Sequence, residues 1–420
     1  MANRDWIEEK LLALYPRLQE NPRFYLDRIR GVEDGFANSF DTEQPPRLFS
    51  APGRTEIGGN HTDHQHGCVL AAAVDLDILG AALQNDSQTI RVLSEGFPMD
   101  EIDLRDTSIK KDEENTSAAL IRGTAAKLME MGYPIGGFDL YATSNVLKGS
   151  GLSSSAAYEM LLGTVMNGLF CQGALSPVAL ARIGQYAENM YFGKMSGLMD
   201  QTASAVGGMV AIDFLDNTAP RVEKLFVNLG QSGYALCIID SGADHADLSP
   251  QYSAIPQEMK AVAEMLGGKV LRETTYEAFQ AQLPEIRKQV GDRAVLRALH
   301  FYRENQRAQE EAKAILAGDF QKFLSLVQAS GASSLAYLQN VTVEGRVQHQ
   351  EVLYALAACD MLLEGEGAFR VHGGGFAGTV QAFVPFHKVD GFKKEIERWV
   401  GAGCCHILSI REAGGVELER

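Results

Sequence analysis

Gly149-Ser150-Gly151-Leu152-Ser153-Ser154-Ser155-Ala156-Ala157 is the stretch on which the reading turns: a run of small residues that flows directly into a helix. Beyond Ser153, the positions Ala157, Leu161, Val165 and Leu169 repeat at helical spacing over about four turns. At such a turn the free N–H groups of the helix start point outward, and the aligned peptide dipoles add partial positive charge. Glycine at the turn lets the backbone approach an anion closely. Gly149, Ser150, Gly151, Leu152, Ser153, Ser154, Ser155 and Ala156 are therefore candidates to cradle a phosphate. No Gly-Lys-Ser/Thr closes the run, so it is not a Walker A loop. A plain serine cap would give the same local pattern.

A second cluster, His372-Gly373-Gly374-Gly375-Phe376-Ala377-Gly378, lies between two apolar strands more than 200 positions later. Consecutive glycines lose conformational entropy on folding and add no packing, so Gly373, Gly374 and Gly375 suggest a close backbone approach to a ligand or to another loop. A simple β-turn explains them as well. The third cluster, Gly53 to His64, packs Arg54, Asn60, His61, Asp63 and His64 into a loop expected after a short strand at Leu48-Phe49-Ser50-Ala51. Such a set can bond several hydroxyls of one polar ligand. The same His61, Asp63, His64 and His66 also resemble the opening of a metal-dependent hydrolase site, an alternative that leaves both glycine clusters without a purpose.

Working outward, an amphipathic helix is expected over Asp5 to Tyr15 and strands over Val69 to Leu83 and Ile90 to Val92. Helices are expected near Ala118 to Met131 and from Ser176-Pro177 to about Met190, the latter with a cap residue and Pro at its first position. A strand follows at Met209 to Phe214, Asn217 to Pro220 serves as a connector, and another strand spans Tyr234 to Asp240. Past these, helices are expected near Pro256 to Leu266, Tyr302 to Leu316, Phe320 to Gln328, Arg346 to Leu363 and Gly391 to Val400. Strands are placed near Ala368 to His372, Ala377 to Val384 and His406 to Ile410. Interleaved strands and helices indicate an α+β layer architecture. At 420 residues the chain exceeds what one compact core usually takes, so two domains are expected, residues 1–225 and 226–420.

Net charge is -16, which argues against a smooth basic face for nucleic acid or anionic lipid, though not against a local basic pocket. No run approaches the roughly 20 apolar residues of a membrane span, and the start lacks the apolar core of a signal peptide. A cytoplasmic protein without nucleic-acid or membrane partners is the expectation; oligomeric state stays open. Cys68, Cys171, Cys237, Cys359, Cys404 and Cys405 form no Cys-x-x-Cys pair and read as buried free thiols.

In this order, the three clusters resemble those of the GHMP small-molecule kinases, most closely the galactokinases, over nearly the whole chain. Pro52-Gly53-Arg54 with Ile57-Gly58 and His61-Thr62-Asp63 looks like the galactokinase signature. Gly151 to Ala157 looks like the family phosphate loop, and Gly373-Gly374-Gly375-Phe376 with Gly378 like its third motif. Ala187-Glu188-Asn189 and Gly197-Leu198-Met199-Asp200-Gln201 add to the likeness. The resemblance implies an N-terminal half like ribosomal protein S5 domain 2, a ferredoxin-like C-terminal half, and a cleft between them holding ATP, Mg2+ and a small sugar. It assigns catalysis to Asp200 and Arg54, the metal to Ser155 and Glu188, and sugar contacts to Asn60, His61, Asp63, Gly197 and Tyr252. Phosphorylation at the anomeric C1 hydroxyl is what it implies. Where galactokinases usually read Gly-Glu-His-Thr-Asp-Tyr, this chain reads Gly59-Asn60-His61-Thr62-Asp63-His64. If Asn60 faces the sugar's C6 group it carries no charge to repel a carboxylate there, so galacturonate competes with galactose as substrate. A sensor that binds sugar and ATP without turnover is a further alternative, weakened by the presence of Arg54, Ser155, Ala156, Glu188 and Asp200.

Overall fold

The computed structural model describes the chain apart from residues 1–10, 13, 43, 148–150, 227–228, 244–247 and 419–420. Most of the expected Asp5–Tyr15 helix, and Gly149 and Ser150 of the phosphate turn, lie outside the described residues. Leu11, Leu14, Tyr15, Leu18 and Tyr25 are buried together against Val416 and Leu418.

Among the described residues, twelve strands make two sheets. β1 (Arg47–Gly58), β2 (Cys68–Gln84), β3 (Thr89–Ser94), β4 (Asp100–Asp103), β5 (Phe138–Ser144), β6 (Met209–Asp213), β7 (Arg221–Leu225) and β12 (Val416–Leu418) form the larger one. Its order is β12-β1-β2-β5-β3-β4, with β6 on the other end of β2 and β7 on β6. The smaller sheet runs β11-β8-β10-β9, from β8 (Tyr234–Asp240), β9 (Ala368–His372), β10 (Thr379–Pro385) and β11 (Cys405–Leu408). All its pairings are antiparallel. β2 can serve three neighbours because it is 17 residues long: Cys68 to Ala72 pair with β6, and Ile78 to Gln84 with β5.

β1 is longer than expected. The strand continues through Gly53 to Gly58, so Arg54 and Glu56 stand on sheet, and the polar loop begins only at Gly59. Two register shifts against β2, between Pro52 and Arg54 and between Glu56 and Gly58, interrupt the alternation that would have announced a strand. Bulges of this kind re-aim side chains next to functional sites.

The helix Ser154–Phe170 lies against β1 and β2. Its first turn is small, and Ala156, Ala157, Met160, Leu161 and Val165 are fully buried. Helices Pro177–Ala187 and Met199–Val206 pack beside it. In the second half, helices Phe320–Ser333 and Glu351–Leu363 cover β9. The long element Tyr276–Leu316 breaks at Gly291 and leans on β1 and β2 of the first sheet. One core cluster holds Phe49, Leu161 and Val210 together with Leu236, Phe323 and Phe383, so apolar packing is continuous across the expected division at 225/226. β12 crosses that division too, pairing Leu48 to Ser50 with Leu418 to Val416.

Candidate functional site

Arg54 leaves β1 just past its first bulge and meets two other segments. Its Nε donates to Asp200 Oδ1 at 2.6 Å and its Nη2 to Asp200 Oδ2 at 2.5 Å, a two-pronged pair that fixes both planes. Nη1 donates to the carbonyl of Gly151, and the main-chain N–H of Arg54 to Leu152 O at 3.0 Å. The arginine therefore ties the strand to the phosphate turn and to the first turn of helix Met199–Val206, where Asp200 sits. Ser204 Oγ donates to Pro52 O at 2.6 Å and clamps that helix onto β1. Glycine at position 53 eases this approach, since a Cβ would lie 3.0 Å from Leu152 O.

Burial alone would push the Asp200 carboxyl up. The Arg54 guanidinium and hydrogen bonds from Arg54 and Ser153 reverse that and hold it below the usual carboxylate range, so Asp200 is ionised. Ser153 is held at φ 53, in left-handed backbone, immediately before the helix. The third motif closes the arrangement. His372 is buried, with Nε2 3.0 Å from Thr55 Oγ1 and accepting from Glu56 N–H at 3.3 Å. Its Nδ1 stands 2.8 Å from Thr379 Oγ1, and a proton on Nδ1 is the tautomer that satisfies all three contacts. Burial, then Arg54 and Arg370, push its pKa well below the usual range, so the ring is neutral. A Cβ on Gly151 would stand 2.9 Å from His372 Nδ1. Phosphate turn, sugar-loop strand and glycine cluster thus meet at Arg54, Gly151 and His372.

The loop after β1 turns at Gly59 (φ 85) and His61 (φ 57). His61 Nε2 is 3.0 Å from Gly374 O. Asp63 accepts from His64 N–H at 2.9 Å, and its other oxygen would be 2.6 Å from a Cβ on Gly197, which explains the glycine there. Burial raises the Asp63 pKa against the opposing pull of His61. Tyr252, in helix Ser249–Met265, donates to Gly375 O at 2.8 Å and sets its ring against the edge of Phe376. A Cβ on Gly374 would stand 2.6 Å from the Tyr252 ring, so this glycine admits the tyrosine. His61, Asp63, Gly197, Tyr252 and the three glycines are brought together. The hydrolase alternative finds no partner set: His61 is spent on Gly374 and Asp63 on His64, and among the described residues no group of three or more His, Cys, Asp or Glu is placed to hold a metal.

Asn60 departs from expectation. Its side chain is fully buried, with Nδ2 donating to Glu56 Oε1 at 3.0 Å and to Gly373 O at 2.6 Å. Its Oδ1 accepts from Asn340 Nδ2 at 2.9 Å. Having both a donor and an acceptor end, an amide can join a carboxylate to another amide. Asn60 uses both ends on protein.

Glu188 opens the wide turn Glu188–Phe192 after helix Pro177–Ala187. Its Oε1 meets Lys194 Nζ at 2.9 Å; Oε2 accepts from Gln201 Nε2 at 2.9 Å and from the Ser196 hydroxyl. The same Gln201 amide reaches Glu159 Oε2 at 3.0 Å. Burial, then Glu188, raise the Glu159 pKa well above the carboxylate range, so it is protonated. Ser155 lies one helical turn before Glu159 and shares its face of the helix.

A galactokinase galactose-binding signature matches residues 34–83, and the GHMP kinase N-terminal domain matches residues 119–208. The galactokinase of Lactobacillus helveticus is 33% identical over 362 residues, spanning 84% of this chain and 89% of that one. The chain belongs to the galactokinase family. Streptomyces coelicolor galactokinase is 30% identical over 356 residues, with 84% and 88% covered. The crystal structure of Lactococcus lactis galactokinase complexed with galactose superposes with a TM-score of 0.79 at 26% identity, covering 93% of this chain and 100% of that one. Mevalonate kinase from Methanococcus jannaschii, at 14% identity and a TM-score of 0.58, shares the fold alone. The two-sheet α+β architecture is that of the GHMP kinases.

Several residues around the candidate site escaped sequence reasoning. Glu56 and Gln201 lie inside quoted motifs, yet their types gave no sign of burial. His300, Glu304 and Asn340 stand far from every motif, and Arg370 stands two residues before the third. Among them they hold the sugar-loop backbone: His300 Nε2 is 2.9 Å from Asn60 O, Glu304 Oε1 accepts from Gly59 N–H at 3.3 Å, and Arg370 donates to Ile57 O at 2.8 Å. No sequence signal separates such residues from ordinary surface polar ones.

Proposed function

We propose that the chain transfers the γ-phosphoryl group of ATP to the anomeric C1 hydroxyl of D-galactose in the cytoplasm, with Asp200 and Arg54 as the catalytic pair. The single observation behind this is the two-pronged Arg54–Asp200 contact at the point where the phosphate turn reaches β1. His61, Asp63, Gly197 and Tyr252 form the sugar side, and Gly151 to Ala156 the phosphate side. Residues 1–225 and 226–420 are the two domains on this reading, with β12 returned to the first.

Asp200 accepts a hydrogen bond from the C1 hydroxyl and aims its oxygen at phosphorus. As the O1–Pγ bond forms and the bond from Pγ to the bridging oxygen breaks, the proton passes from O1 to Asp200 and ADP leaves. A carboxylate held as low as Asp200 is a weak base, so the proton moves late, which suits the loose transition state of phosphoryl transfer. Arg54 keeps that carboxylate oriented and adds positive charge beside the transferring group. Ser155 and Glu188 offer only oxygen donors, one hydroxyl and one buried carboxylate that already attracts a cation, and this fits Mg2+. When bound, the ion would neutralise phosphate charge. The C6-modified alternative depends on Asn60 facing that group, and Asn60 faces protein.

A coupled ADP-release assay over galactose, galacturonate, N-acetylgalactosamine, glucose and arabinose tests the assignment. Galactose should turn over fastest, with a C1-phosphate by 31P NMR; faster turnover of galacturonate, or none of any sugar, overturns it.

A further inference from the structure

Lys194 plays no part in the chemistry above. It follows Gly193 (φ 88) on the segment that leads to Asp200, and its side chain is 57% exposed. The carboxylate it reaches, Glu188, is 3% exposed. At Glu188 the two oxygens are treated differently. Oε2 is held from inside by the uncharged Ser196 hydroxyl and Gln201 amide, while Oε1 is held from the solvent side by Lys194 Nζ at 2.9 Å. Among the described residues Lys194 is the one cation paired with Glu188. Asp200 also acts on the same ammonium. A buried carboxylate needs a counter-charge, and here it is supplied by a long, flexible, mostly solvated side chain that can leave.

We propose that Lys194 is a tethered cation that occupies the divalent-ion position on Glu188 while the nucleotide site is empty, so that the metal enters with ATP rather than ahead of it. This rests on Glu188 being the metal carboxylate. A free ion must displace an ammonium held at high local concentration by its tether. An ion arriving on ATP brings phosphate oxygens that give the displaced ammonium a new partner, so the exchange is favoured only with nucleotide present.

Binding of Mn2+ as a probe, followed by electron paramagnetic resonance on the full chain with and without a non-hydrolysable ATP analogue, tests it. Lys194→Met should bind Mn2+ alone roughly tenfold or more tightly than wild type, the expected result of removing a cation at contact distance. Lys194→Arg, which keeps the charge, should match wild type. Unchanged Mn2+ affinity in Lys194→Met, while Glu188→Gln weakens binding with the analogue, overturns the role of Lys194 alone. Tight binding by Lys194→Arg overturns it as well. If Glu188→Gln leaves Mn2+ affinity unchanged under both conditions, the assignment of Glu188 falls and Lys194's role with it.

Discussion

Asn60 shows how one residue type can serve two different ends. In sequence it stands where galactokinases usually carry a glutamate, which makes it look like a specificity position; in the fold its amide joins Glu56, Gly373 and Asn340. The Glu56 carboxylate beside it is already committed to the Arg370 guanidinium. Asn60→Glu would place a second carboxylate against Glu56 in a buried site. We expect a loss of about 3–5 kcal/mol, the cost of an unpaired buried charge, read as a lower urea midpoint, and no gain of galacturonate turnover. An unchanged midpoint with altered sugar preference would return Asn60 to the sugar site. The Arg54–Asp200 pair was more legible. Asp200 and Arg54 each sit in a short motif of unusual residue types, and such motifs survive translation into sequence because chemistry restricts them directly. The burial of Asn60 was not legible because, beside Glu56, its partners come from 280 and 313 positions away, which local sequence cannot show.

The element that most resisted reading is the helix Tyr276–Leu316. Only Tyr302 to Leu316 is expected as helix from the sequence, because Pro284 and Gly291 interrupt the part before it. His300, Glu304 and Glu311 are all fully buried at spacings of four and seven, and they face the sugar-loop stem. Gly58 must be glycine because a Cβ would collide with the Glu311 carboxyl. Burial, then Glu304, raise the Glu311 pKa well above the carboxylate range, so a neutral acid sits under the loop.

His300 titrates in the opposite sense. Burial pushes its imidazole from 6.5 down to about 4. Between those values the unfolded chain takes up a proton that the folded one refuses, so this contribution to stability is complete above pH 6.5 and disappears as pH falls to 4. The shift is equivalent to about 3 kcal/mol. His300→Gln should therefore flatten the fall of Tm over that interval relative to wild type, and the difference between the two curves separates His300 from His64, His372 and the raised acids Asp63, Glu159 and Glu311. Parallel Tm curves would mean that His300 is protonated in the native state. A kcat unaffected by the substitution, with KM for galactose raised, is the companion result for a residue that positions the loop.

Across the whole molecule, Asp77 joins the chain's two ends to its first sheet. Its carboxylate accepts from Tyr15 at 2.6 Å, Arg28 at 2.8 Å, Ser50 at 2.5 Å and Arg411 at 2.9 Å, and both it and Arg411 are fully buried. Asp77→Ala strands Arg411 without its counter-charge and should cost about 3–5 kcal/mol, seen as a lower denaturation midpoint with kcat per folded molecule unchanged. Unchanged stability would mean that the two ends hold on by apolar contact alone. At this scale the sequence showed the α+β class and most strands, since apolar runs of strand length are locally encoded. It did not show β12 returning to β1, because three residues near a terminus carry no periodicity, nor β7, whose Arg221-Val222-Glu223-Lys224-Leu225 is largely polar.

The claim beneath all of this is that phosphoryl transfer to galactose takes place at the Arg54–Asp200 pair. Single-turnover formation of galactose 1-phosphate by Asp200→Asn, at saturating galactose and Mg·ATP, tests it most directly. The rate should fall by roughly 10²–10⁴ while the thermal melt still shows a folded protein and galactose still binds; a folded variant that phosphorylates galactose at the wild-type rate would contradict it.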